Sequence, residues 1–99
     1  MDTQAQSWVP SPFVVATSLD QETVLLNART GRYFVLDEVG QRMWELLLEL
    51  GRVEPVVQTL AEEYDATDTQ LEHDLLDLID ELEQNGLLCK TTQESQTSL

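Results

Sequence analysis

The order of hydrophobic patterns along this chain predicts an α+β domain, a three-stranded antiparallel sheet followed by three helices. Three observations carry that expectation. The stretch ETVLLNARTGRYFVLDEVGQRMWELLLEL holds two β-rich runs around turn residues, then switches to helical periodicity without a spacer. Two further runs with helical spacing follow, each with its own start and stop signals. The 99 residues allow one domain with a modest core, burying about 60 to 65% of the unfolded chain's surface.

Met1 to Ser7 is polar and aperiodic, and residues 1–12 as a whole are expected to form a flexible N-terminal segment. Within it, prolines extend Trp8-Val9-Pro10-Ser11-Pro12. The Trp8 indole either closes one end of the core or waits for a partner, and packing favours closure. Phe13 to Thr17 is the first strand, and Ser18-Leu19-Asp20-Gln21 turns it into the second, Thr23 to Leu26. Asn27 to Gly31 carries turn chemistry, and Tyr33 to Leu36 completes a meander. Asp37 stands at an N-cap position, with Val39, Met43, Leu46, Leu47 and Leu50 at helical spacing until Gly51.

The second helix is expected over Arg52 to Asp65, with Pro55 in its first turn and Val56, Val57, Leu60, Ala61 and Tyr64 on one side. Thr67-Asp68-Thr69-Gln70 reads as a capping box, with Ala66 and Leu71 at staple positions. The third helix then runs to Asn85, Gly86 ends it, and Leu87 and Leu88 return to the core. The domain is therefore expected over residues 13–90, and the polar residues 91–99 form a tail with no reason to order.

The apolar arc of the third helix is wider than a core stripe requires. At about 100° per residue, Leu71, Leu75, Leu78, Ile79 and Leu82 fill one face, and Leu76 extends it sideways, either against Trp44 or Leu48 or into a groove. The outline is that of a winged helix-turn-helix module, which usually implies DNA binding. Here the helix that would enter the major groove carries Asp68, Glu72, Asp74, Asp77, Asp80, Glu81 and Glu83 and no cation. Arg29, Arg32, Arg42 and Arg52 are too few to offset them.

The whole chain carries 19 acidic and 5 basic side chains, a formal charge of -14, which disfavours nucleic acid and anionic membranes and favours cationic partners. No apolar run approaches the ~18 residues of a membrane span. A single Cys89 cannot staple the fold, and without a signal peptide the chain reads as cytoplasmic. Catalysis has no constellation to work with. His73 sits among acids on a polar helix face, where it reads as a surface residue, and Asp74 and Asp77 lie along one helix, not across a cleft. No enzyme activity, cofactor or metal is expected.

The stretch ETVLLNARTGRYFVLDEVGQRMWELL, the two helices after it and the closing Glu83-Gln84-Asn85-Gly86-Leu87-Leu88 resemble the PqqD-like family. Members of that family act as recognition elements for ribosomally made, modified peptides. The resemblance covers Phe13 to Leu88. Its most specific parts are Asn27-Ala28-Arg29-Thr30-Gly31-Arg32-Tyr33, the entry Leu36-Asp37-Glu38-Val39-Gly40, and the Leu-rich third helix ending in Asn-Gly-Leu-Leu. Within the family the chain is most similar to the free-standing leader-binding proteins of lasso peptide biosynthesis. The resemblance implies a winged helix-turn-helix that captures a precursor's leader peptide as an extra strand beside the third strand. A partner leader protease and a macrocycle-forming enzyme would then act on the delivered precursor.

By position, the peptide-binding residues are expected to be Arg32, Tyr33, Phe34, Val35 and Leu36 on the strand and Leu71, Asp74, Leu75 and Leu78 on the helix. An open strand edge beside an apolar helix face suits that role on physical grounds as well. Alternation sends Tyr33 and Val35 to one face and Phe34 and Leu36 to the other, and each apolar residue also has an ordinary core role open to it. The acidic third helix suggests a leader carrying Lys or Arg. Two other readings stand beside this one: a scaffold module binding only the processing enzymes, without affinity for an isolated leader, and a winged-helix regulator that would shift duplex DNA at low salt.

Overall fold

The computed structural model describes residues 6–20 and 22–92. Its elements run β1 (Gln6–Pro10), β2 (Val14–Leu19), β3 (Glu22–Asn27), β4 (Tyr33–Leu36), α1 (Glu38–Leu50), α2 (Val53–Glu63), α3 (Asp68–Gln84) and β5 (Leu88–Thr92). The expected meander is a three-stranded antiparallel sheet of order β2-β3-β4, and the three helices follow it. The architecture is α+β.

Local chemistry sets the helix boundaries. Asp37 Oδ1 accepts the Gly40 N–H at 2.8 Å and opens α1, while Gly51, at φ 77°, closes it by donating its N–H to the Leu47 carbonyl. Thr67 opens α3 by accepting the Gln70 N–H on Oγ1 at 3.2 Å. The second helix is shorter than expected, Val53–Glu63, because Tyr64 is extended at φ -121°, ψ 149° and takes the chain out of helical geometry.

The buried faces of the helices share one core with the inner face of the sheet. The core joins Leu25 and Leu36 from the sheet to Met43, Trp44, Leu46 and Leu47 of α1, Val56, Val57 and Leu60 of α2, and Leu71, Leu75, Ile79 and Leu82 of α3. Val39 and Leu50, expected on the core face of α1, lie at its ends and remain exposed. Leu76 is 41% exposed and Leu48 is exposed too, so neither is buried in an α1–α3 contact. Among the described residues, no helix is long and apolar enough to cross a membrane.

Two strands depart from expectation. Residues 1–12 were expected to be flexible and 91–99 unordered, yet β1 and β5 form a separate antiparallel pair with Trp8 opposite Lys90 and Ser7 opposite Thr91. The physical cause is Trp8. Its side chain is 5% exposed, its indole N–H donates to Glu83 Oε2 at 3.1 Å, and its backbone N–H donates to the Gly51 carbonyl at 2.8 Å. The Ser11 N–H adds a bond to the Leu87 carbonyl at 3.2 Å. The indole thus closes the core, and Thr91 and Thr92 gain order from a strand partner instead of from apolar content of their own. Residues 1–5 and 93–99, and Gln21 of the expected turn, lie outside the described residues.

A bidentate ion pair bridges α1 and α2. Arg42 meets the two Glu63 carboxylate oxygens at 2.9 Å and 2.6 Å, and Glu45 of its own helix at 3.1 Å. The hydrogen bonds that Arg42 donates hold the Glu63 carboxyl below its ordinary value, and their acceptance by Glu63 and Glu45 raises the Arg42 guanidinium above its own.

Two outcomes follow from this packing. Trp8→Ala is expected to lower the unfolding free energy by about 3 to 5 kcal/mol, and Trp8→Phe by less, as read from denaturant melts. A Trp8→Ala protein as stable as the wild type would mean that β1 is not part of the core. For Glu63, a folded value depressed below the unfolded one stabilises the fold above the unfolded value, and that contribution is lost as pH falls through the folded one. The Tm difference between wild type and Glu63→Gln should therefore exist at neutral pH and close on acidification through the carboxylate range; a difference that persists in acid would assign it to something other than this pair.

Candidate functional site

Among the described residues, β2 and β4 are the two edges of the main sheet, and β4 is paired to β3 alone. The register places Tyr33 opposite Leu26, Phe34 opposite Leu25, Val35 opposite Val24 and Leu36 opposite Thr23. The Asn27 N–H donates to the Arg32 carbonyl at 2.8 Å, which marks Asn27 and Arg32 as a hydrogen-bonded pair. In an antiparallel ladder such pairs alternate, so Phe34 and Leu36 turn their backbone groups toward β3. Tyr33 and Val35 turn theirs to the open edge, presenting two N–H and two C=O groups to whatever lies beside them.

Side chains alternate in the complementary sense. Tyr33 and Val35 point to the outer face of the sheet, 64% and 45% exposed, while Phe34 is half-buried against the core and Leu36 is fully buried. On the outer face the register aligns Val15, Leu26 and Tyr33 across all three strands. Beside the edge lies a pocket of about 270 Å³ lined by Glu22, Phe34, Val35, Leu36, Asp37, Gly40 and Leu78. Strand β4 and helix α3 thus form two walls, and the entry to α1 closes one end. The carboxylates Glu22 and Asp37 also line a wider open hollow with Leu19, Asp20 and Glu38, so the Leu36 end of the edge is acidic, whereas Arg32 lies exposed at the other end.

The residues expected from sequence divide into three groups. Phe34, Val35, Leu36 and Leu78 come together in the pocket. Arg32, Tyr33 and Asp74 lie exposed around it, Asp74 one turn before Leu78 on α3. Leu71 and Leu75, expected to face a peptide, are buried in the core instead, Leu75 at 0% exposure. Helical period explains this: positions 71, 75, 79 and 82 share the inward stripe, and 74 and 78 lie one step around the helix. Missing from the sequence-based set were Glu22, Asp37 and Gly40. The Leu36-Asp37-Glu38-Val39-Gly40 entry was the available signal, because a helix starting directly after an edge strand puts its first turn at the end of that edge.

His73 is exposed, with Nδ1 at 3.6 Å from Asp77 and 3.8 Å from Asp74. Among the described residues, no group of three His, Cys, Asp or Glu is placed to hold a metal ion. The arrangement offers backbone hydrogen bonds, an apolar pocket and a charged rim, which are the elements of peptide recognition.

A family model described as "Coenzyme PQQ synthesis protein D (PqqD)" matches residues 22–88, from the start of β3 to the first residue of β5. No curated protein matches the chain. Among solved structures, "TbiB1 in Complex with the TbiA(beta) Leader Peptide" is 40% identical with a TM-score of 0.72, covering 80% of this chain and 93% of that one. "Lasso peptide synthetase B1 complexed with the leader peptide" is 28% identical with a TM-score of 0.77, covering 84% of this chain and 98% of that one. The open edge, the pocket and α3 all fall inside the matched span, and this chain belongs to the PqqD family.

Proposed function

We propose that this chain is a non-catalytic recognition element that binds the leader region of a ribosomally made precursor, of the lasso peptide class, by strand addition to β4. The observation that carries the reading is the pairing of unpaired Tyr33 and Val35 backbone groups with an apolar pocket under the same edge. Both solved relatives are complexed with leader peptides, which supports it. The order of sheet and helices suits a winged helix-turn-helix in which α3 serves as a wall for peptide side chains. Backbone pairing at the edge contributes affinity with little dependence on sequence, and the pocket adds selectivity. Leader side chains on the inner face would enter between Phe34 and Leu78. Leu71 and Leu75 support that wall from beneath, Val35 lines the pocket with Phe34 and Leu36, and Arg32, Tyr33 and Asp74 border it.

The acidic side chains of α3 and of the Glu22 and Asp37 end favour a leader carrying Lys or Arg. A leader protease and a macrocycle-forming enzyme, in the cytoplasm, are the partners that would receive the precursor. DNA binding is the weaker reading because α3 would bring its carboxylates against phosphate.

The TbiA(beta) leader peptide is a concrete probe. Titrated into isotope-labelled protein, it is expected to shift the Tyr33 and Val35 amides and those around Leu78. Shifts confined to α2 or to the β1–β5 pair would rule out addition at β4. A second measurement ranks the interactions. Exposed acid–cation pairs contribute about 0.2 to 1 kcal/mol each and fade with salt, whereas truncating an apolar anchor at an interface centre costs about 2 kcal/mol or more. Leu78→Ala, shown to be folded by circular dichroism, should therefore weaken leader binding more than Asp74→Asn with Asp77→Asn at physiological salt. If calorimetry finds the double Asn variant weaker, recognition is chiefly electrostatic and the pocket is not its centre.

A further inference from the structure

Asn27 bonds to the residue that leads into β4 and to the turn that ends α3, the two elements that wall the groove. It ends β3 and is 5% exposed. Its backbone N–H donates to the Arg32 carbonyl at 2.8 Å, holding the residue that leads into β4, and its carbonyl accepts the Gly31 N–H at 2.8 Å. Its Oδ1 accepts the Arg29 N–H at 2.9 Å and the Thr30 N–H at 3.1 Å, so the β3–β4 turn is built around it. The amide nitrogen points the other way. Nδ2 donates to the Gly86 carbonyl at 2.7 Å, just past the end of α3. Among the described residues this is the one hydrogen bond that joins the three-stranded sheet to α3 or the turn that ends it. Gly86 fits the approach: its φ is 71°, and a Cβ there would lie 2.8 Å from Nδ2.

We infer that Asn27 is a positioning residue for peptide binding, one that fixes the start of β4 against the C-terminal end of α3 and so sets the groove's width there. The inference rests on the leader-binding reading above. At the other end of β4, Leu36 is held by burial in the same core as Leu71 and Leu75. At the Asn27 end, Tyr33 points outward and Phe34 is only half-buried, and the Asn27–Gly86 bond adds a directional tie there. The turn alone needs only an acceptor at position 27, which Asp would supply equally. The donor is what distinguishes Asn, and the donor serves α3. A loosened wall would have to be ordered again on binding, at the expense of affinity.

The test is Asn27→Asp, which keeps the turn acceptor and sets a carboxylate oxygen against the Gly86 carbonyl. Affinity for fluorescein-labelled TbiA(beta) leader peptide is measured by anisotropy on wild type and variant, with folding followed by circular dichroism. At neutral pH the folded variant is expected to bind about tenfold or more weakly. A carboxyl oxygen set against a buried carbonyl is favoured in its protonated, donating form, so the variant-to-wild-type affinity ratio should recover toward one as pH falls through the carboxylate range. Wild type at each pH accounts for titration of the other carboxylates, and Asn27→Ala, which can never donate, should show no recovery. A merely structural role would move Tm without this pH-dependent return.

The wild type gives a measurement that does not depend on any variant folding: the Asn27 side-chain amide protons should exchange with water more slowly once leader is bound. Unaltered affinity in folded Asn27→Asp, or unaltered Asn27 exchange in a wild type that binds leader, overturns the inference and leaves leader binding intact. A wild type that binds no leader overturns the reading itself.

Discussion

Leu36 and Asp37 are adjacent, yet the first is the buried last residue of β4 and the second caps α1. A chain that passes from strand to helix with no spacer must leave the sheet at once, so no hairpin can return to cover the edge it leaves behind. Because Leu36 is fully buried and the Asp37 cap fixes the direction of α1, the edge is held in place from one end. The open edge is therefore a consequence of the same junction that makes it rigid. Preorganisation of this kind lowers the ordering cost that a bound strand would otherwise meet.

Open edges also invite unwanted pairing, and charge is the device that limits it here. Strand β4 is only four residues long, with Arg32 before it and the carboxylates of Glu22, Asp37 and Glu38 around its far end. A net charge of -14 makes a second copy of the chain a poor partner, since like-charged surfaces must approach before edges can pair. The cost of that charge is self-repulsion within the fold. The Arg42 fork on Glu63 and Glu45 sets a cation between acids of α1 and α2.

What was legible in the sequence was local. Asp37, Gly51 and Thr67 act at the cap positions that their chemistry suggests, and the Asn27 to Gly31 turn joins two strands whose β-rich runs are plain. What was hidden depends on distant partners. Trp8 meets Glu83 at a separation of 75 residues and Asn27 meets Gly86 at 59, and no periodicity within either segment encodes the other. The β1–β5 pair was invisible for that reason, although Trp8 hinted at closure. In the site, β4 alternation was expected without its sense, and only burial of Leu36 sets Phe34 inward and Tyr33 and Val35 outward. Leu71 and Leu75 were misplaced because a wide apolar arc does not say which part of it meets the core.

That wide arc has a physical division of labour. Its inward stripe, Leu71, Leu75, Ile79 and Leu82, is fully committed to the core, so it can stiffen α3 but cannot yield area to a ligand. Leu78 packs on the core with one side and lines the pocket with the other. A residue shared in this way couples stability to recognition: any peptide side chain that covers it removes the apolar surface folding left in water, and gains from a wall already held rigid by four buried neighbours on the same helix. Strand pairing could bind almost any extended chain, and on the proposed reading the limited volume between Phe34 and Leu78 would restrict which side chains sit beside an added strand. On that reading, selectivity would reside in the helix and affinity in the edge, with Leu36 buried at one end of β4 and Asn27 hydrogen-bonded to Gly86 beside the other.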